Sequence, residues 1–155
     1  MGRRGWLVLL TAFSIGGLIS SILVLYMWYI LGRAPPGCYA PSRILPGVTI
    51  DCVKVLSSPY AHVGPVPLDG LAAVWFAVNI GIVIAYFYAY RRRLLTTLFY
   101  WRLVGLAILP YLLYVEIVML KALCLYCTIM HIFIIIDFIL ISLFIKRSNV
   151  LIKLK

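Results

Sequence analysis

Acidic residues are scarce in this chain: four Asp and Glu stand against 14 Lys and Arg, a formal net charge of +10. There are two histidines and four cysteines. The sequence has no low-complexity tract and no internal repeat. Its apolar runs lack the period-two alternation of lipid-facing strands, which excludes a transmembrane barrel. The first run follows Arg3 and Arg4 as a signal peptide would. It is longer than the usual apolar region of about 7–15 residues, and no small-residue cleavage site closes it, so it reads as a helix of the mature protein.

What is abundant is hydrophobic: 65% of residues, with a mean hydropathy of +1.11. A hydrocarbon core about 30 Å thick takes about 20 helical residues. Four runs are long enough, at residues 5–31, 68–90, 97–120 and 122–145, the third interrupted only by Arg102 and Glu116. Backbone polar groups in lipid must be satisfied within the segment, so such runs form helices. The expectation is an all-α membrane protein: a four-transmembrane-helix bundle, one integral membrane domain over residues 1–155, with a long loop at 32–67.

The basic excess raises the question of nucleic acid, and the placement of the charges answers it. Arg3, Arg4, Arg91, Arg92, Arg93, Lys146, Arg147, Lys153 and Lys155 share one side of a four-span protein. The other side has Arg33, Arg43, Lys54 and Lys121. The asymmetry puts both termini in the cytoplasm, in what is expected to be a cell membrane. Contact with anionic lipid accounts for the rest, and no nucleic-acid partner is expected.

The connections are uneven. Those after the second and third runs are short, so helices two, three and four should be antiparallel neighbours. The long loop holds every proline but Pro110, together with Gly32, Gly37, Gly47 and Gly64. It is therefore a shaped segment, and long loops of that kind are usually functional. In the first run Ser14, Gly16, Gly17, Ser20 and Ser21 allow a close helix neighbour. Pro110 is expected to kink the third helix.

All four cysteines fall on the extracytoplasmic side, where disulfides form and persist. Cys38 and Cys52 lie in the loop. Cys124 and Cys127, in ALCLYCTIMH (122–131), open the last run. At i and i+3 they face one way on a helix. In a first turn the free N–H groups and the dipole favour a thiolate, the nucleophile of disulfide exchange. Cys38 follows Pro35-Pro36-Gly37, a turn that would present it at the surface. A Cys38–Cys52 bond would close a loop of about 15 residues, worth about 3 kcal/mol in the chain-entropy account. Two other readings stay open on these residues alone: a four-thiolate zinc site, and a plain staple beside an inert helical pair.

Four further ionisable residues lie near the site or deeper in the third and fourth runs. His131, four residues past Cys127, shares its face and would bond a carbonyl acceptor or move protons. Glu116 sits at a similar depth and reads as a proton carrier. Asp137 lies deeper and reads as a structural partner of Arg102, which would otherwise snorkel to the membrane surface.

Taken in order, the loop pair Cys38 and Cys52, VLSSPYA (55–61), GPVPLDG (64–70) and CLYCTIMH (124–131) resemble the vitamin K epoxide reductase family. The likeness covers roughly residues 5–145 and is greatest to prokaryotic members that oxidise dithiols. Disulfide-bond protein B has its C-x-x-C in the first loop instead. The resemblance implies a quinone-coupled disulfide oxidase. Cys38 would be attacked by a separate thioredoxin-like partner. Cys52 would exchange with Cys124, and Cys127 would face the quinone, whether ubiquinone, menaquinone or a vitamin K type. Ser58 matches the family's loop serine or threonine, and His131 a Tyr or His beside the quinone. The loop cysteines stand further apart than is usual in the family. The polar quinone ligand of mammalian members near helix two has only Asp69 and Asn79 as counterparts. Alternatives are reduction of vitamin K epoxide or quinone, and a non-enzymatic disulfide-stapled membrane subunit or small transporter using Glu116 and Asp137.

Overall fold

The computed structural model describes residues 2–38, 42–45 and 47–153. Pro41, Pro46 and Lys155, singled out above, lie outside the described residues. Four helices are long and apolar enough to cross a membrane, over Arg4–Ile30, Leu68–Ala89, Arg92–Leu120 and Leu125–Arg147. Helix α1 runs Arg3–Val24 and continues in π winding over Leu25–Ile30. Helix α3 is Leu68–Ala89, and α4 is Arg92–Tyr114, continuing in π winding over Val115–Leu120. Helix α5 spans Leu125–Lys153. It begins later than expected, because Ala122–Leu123 are a short strand, β5.

The bundle closes in a ring: α1 packs on α3 and α5, and α4 packs on the same two. The antiparallel neighbours expected from the short connections are therefore in place. The small residues of α1 face both neighbours. A side chain at Gly17 would run into the ring of Phe76, and one at Gly16 into that of Phe133.

The long loop is built, not slack. Strands β1 (Ser42–Leu45) and β2 (Val48–Ile50) form an antiparallel hairpin through Gly47, whose φ is 89°. Helix α2 follows at Cys52–Leu56, its first turn closed by Asp51, whose carboxylate accepts from the Lys54 N–H at 2.9 Å. A 3-10 turn at Pro59–Ala61 leads to a small hairpin, β3 (His62–Val63) and β4 (Val66–Pro67). The Tyr29 hydroxyl meets His62 Nε2 at 3.3 Å and ties that hairpin to the end of α1. The fold is a membrane four-helix bundle as expected, with these strands added. At two to four residues each they are too short to show period-two alternation.

Halfway along the bundle each spanning helix contributes to one buried polar knot. Arg102 is wholly inaccessible, so it does not snorkel. Its Nε donates to Asn79 Oδ1 and its Nη1 to the Asp137 backbone carbonyl, both at 2.9 Å. Its Nη2 donates to Ser14 Oγ at 3.3 Å and faces Asp137 Oδ1 at 3.4 Å. Ser14 in turn donates to Asp137 Oδ2 at 2.8 Å. Asp137 is thus the structural partner of Arg102. A buried pair survives only with such hydrogen bonding, and removing one member leaves an uncompensated charge. Arg102→Leu should lower stability in detergent micelles by about 3–5 kcal/mol. The double variant Arg102→Leu/Asp137→Leu should regain part of that loss. Thermal unfolding of the three proteins checks both.

Candidate active site

All four cysteines meet at the loop end of the bundle. Cys38, Cys52 and Cys124 are buried in one cluster with Val24, Val55, Leu56 and Ala122, and Cys127 packs against it. Cys38 and Cys52 are bonded to each other, with Cα atoms 5.5 Å apart, and Cys124 and Cys127 are free thiols.

Backbone pairing brings the two pairs together. Strand β5 lies parallel to β2, with Thr49 opposite Ala122 and Ile50 opposite Leu123. The Asp51 N–H donates to the Leu123 carbonyl at 3.0 Å and the Thr49 N–H to that of Lys121 at 3.3 Å. Lys121 makes the turn out of α4 in left-handed backbone, φ 49°. This ladder ends on Cys52 from one strand and Cys124 from the other.

Cys124 is the residue before α5, not a member of its first turn. Its sulfur accepts the Cys127 N–H at 3.4 Å. That is the N-cap role, which Ser, Thr, Asp or Asn usually fills with oxygen. Its carbonyl takes the N–H and the hydroxyl of Thr128, both at 2.9 Å.

Cys38 is not presented at the surface: it is 5% exposed. Pro36 and Gly37 stay exposed, the Pro36 carbonyl accepting from the Tyr126 hydroxyl at 3.0 Å, while Cys38 is buried by its bond to Cys52 and the apolar cluster around them. Gly37, at φ 82°, lies against Leu125. Tyr126 packs against the cysteine cluster, and its hydroxyl holds the turn.

On the other side of Cys127 is a cavity of about 90 Å³. Its polar lining is Ser58, Tyr60, Asp69, Tyr111, Glu116, Cys127 and His131; the remainder is largely aliphatic. Ser58 donates to the Val55 carbonyl at 2.8 Å, which orders the end of α2 at the cavity wall. Glu116 Oε2 and His131 Nδ1 are buried without a hydrogen-bond partner. Of the two counterparts considered on the second helix, Asp69 lines the cavity. Asn79 belongs to the Arg102 knot. Tyr111 was not singled out from the sequence. Nothing marks it there except its place one residue after Pro110. Among the described residues no group of three or more His, Cys, Asp or Glu could hold a metal ion.

The bundle and its paired cysteines define a membrane-embedded thiol–disulfide protein. Residues 6–142 match the family model described as "Vitamin K epoxide reductase family". The chain belongs to that family, whose members are membrane oxidoreductases that use quinones or vitamin K as electron partners. No curated protein and no solved structure matched the chain.

The cavity residues fit a quinone in kind. A quinone presents an apolar ring and two carbonyl oxygens, and the lining offers apolar walls with buried polar atoms that lack partners. At its present volume the cavity would have to widen to take the whole ring.

The Tyr126 bond is one neutral hydrogen bond, worth about 1 kcal/mol. Tyr126→Phe should therefore speed reduction of the Cys38–Cys52 bond by a small thiol about five-fold. Alkylation of the released cysteines, followed by gel mobility, measures that rate.

Proposed function

We propose that this protein is a quinone-dependent disulfide oxidase, which makes disulfides in a separate extracytoplasmic thioredoxin-like protein. The single observation that carries the reading is the continuity of the site. A loop disulfide, a pair of thiols at the start of α5 and a largely apolar cavity adjoin one another in that order.

In the proposed relay a partner thiolate attacks Cys38, and Cys52 leaves as thiolate. The partner's second thiol then releases Cys38, and the partner holds the new disulfide. With the inner pair oxidised, Cys52 attacks Cys124 and Cys127 leaves. Cys38 then attacks Cys52, which restores the outer bond and frees Cys124. Each exchange conserves one disulfide and moves two electrons inward. The bonding seen, outer pair joined and inner pair free, is the state reached at the end of that sequence. A quinone bound in the cavity supplies the acceptor for two electrons and two protons. His131 Nδ1 is the group to bond a quinone oxygen, with Ser58 fixing the wall opposite. The exposed Tyr111 at the rim faces the bilayer, the source of the quinone.

The basic residues support the orientation this reading requires. Arg91, Arg92, Arg93, Lys146 and Arg147 mark the cytoplasmic end, so the cysteines face the oxidising side of the cell membrane.

The test uses purified protein, a reduced thioredoxin-like substrate and ubiquinone or menaquinone, with quinol formation followed by absorbance. Wild type should turn over, and Cys127→Ala should fall to the rate without protein. Quinol production by Cys127→Ala would refute the relay. His131→Ala should raise the quinone KM about five- to ten-fold, the loss of one hydrogen bond, and leave stoichiometric oxidation of the partner intact.

A further inference from the structure

The two inner thiols do not share the same surroundings. The Cys124 sulfur accepts a backbone N–H at the start of α5. Cys127 points to the cavity, and no backbone N–H is bonded to its sulfur among the described residues. Nor does the cavity lining include any Lys or Arg. A bare Cys127 thiolate would stand in an apolar space beside two carboxyl groups, with no cation to offset its charge. Such a thiol reacts only if its proton leaves to a base already in place.

The geometry points to Glu116 as that base: a catalytic residue that takes the proton from the Cys127 thiol. Three observations converge on it. Glu116 is 5% exposed and its Oε2 has no hydrogen-bond partner. It lines the same cavity as Cys127. It also sits in the π-wound segment Val115–Leu120, and π winding inside an α-helix is frequent at functional sites. The competing carboxylates are engaged elsewhere. Asp69 lies in the first turn of α3, where the free backbone N–H groups and the helix dipole favour a carboxylate. Asp137 is committed to Arg102 and Ser14. The titratable groups facing Glu116 are Asp69 from α3, Cys127 and His131 from α5, Tyr111 from its own helix and Tyr60 from the loop.

The inference rests on the oxidase reading and specifies its proton path. Closing the Cys124–Cys127 bond releases two electrons and two protons. The Cys127 proton moves to Glu116, and the other proton comes from the Cys124 thiol. Both protons and both electrons end on the quinone.

The experiment reads Cys127 directly, with no quinone present. In Cys124→Ser, with Cys38–Cys52 bonded, Cys127 is the one free thiol. Its alkylation by N-ethylmaleimide is followed from pH 5 to pH 9. With Glu116 as base the rate should be nearly flat between the titration of the carboxyl and that of the thiol. Glu116→Gln in the same background should react at least ten-fold more slowly at neutral pH and rise about ten-fold per pH unit. Glu116→Asp should keep the flat region at a lower rate. A ten-fold rise per pH unit with Glu116 present, or equal rates with and without the carboxyl, would overturn the assignment. If Glu116→Gln does not fold, the pH profile with Glu116 decides alone. Failure of the oxidase reading would look different: Cys124→Ser would keep the flat profile, while the unsubstituted protein would form no quinol from reduced partner.

Discussion

The parallel pairing of β2 with β5 is the contact on which the rest of the site depends. Two backbone hydrogen bonds, from Thr49 to Lys121 and from Asp51 to Leu123, tie the loop to the start of the last helix. Neither strand would persist alone at this length. They are kept because the loop cysteine and the helical cysteine at the ends of the ladder are buried in the same apolar cluster. Without that pairing Cys52 would be part of a tethered loop, and disulfide exchange would wait on a chance encounter. With it, the exchange of the proposed relay is between neighbours, and the loss of translational freedom has been met on folding.

The membrane sets the second constraint. Polar groups in the bundle must find partners within it. Ser14, Asn79, Arg102 and Asp137 do so with one another, one from each spanning helix, and so fix how the helices face. Nearer the loop end the rule is broken at Glu116 Oε2 and His131 Nδ1, which have no partner. Unsatisfied buried groups are costly and collect at sites where a ligand or a proton completes them. The bundle thus has one polar layer whose members pair with one another, Asp137 Oδ1 being held by the ion pair to Arg102 alone, and one layer beside Cys127 whose polar atoms lack partners.

Much of this was legible in the sequence because the signals were long or chemically specific. Four apolar runs give four helices, and four cysteines in two spaced pairs with CLYCTIMH carry the family. Asp137 as the partner of Arg102 followed from the cost of charge in lipid. What was not legible came from short-range geometry. The strands are too brief to have a period. Cys38, after Pro-Pro-Gly, reads as exposed, and its bond to Cys52 within the apolar cluster buries it. Cys124 reads as a helical residue, and the strand before it moves the helix start so that its sulfur becomes the cap. Asp69 and Asn79 look alike as polar residues of one helix, and only the packing separates the cavity from the Arg102 knot.

The most direct test of the central claim is the bond between the two sulfurs that the β2–β5 ladder brings together. In the variant Cys38→Ser/Cys127→Ser only Cys52 and Cys124 remain to pair. Mild oxidation in the membrane, followed by non-reducing digestion and mass spectrometry, should find Cys52 joined to Cys124 within one chain as the main species. Two free thiols, or bonds only between chains, would contradict the account.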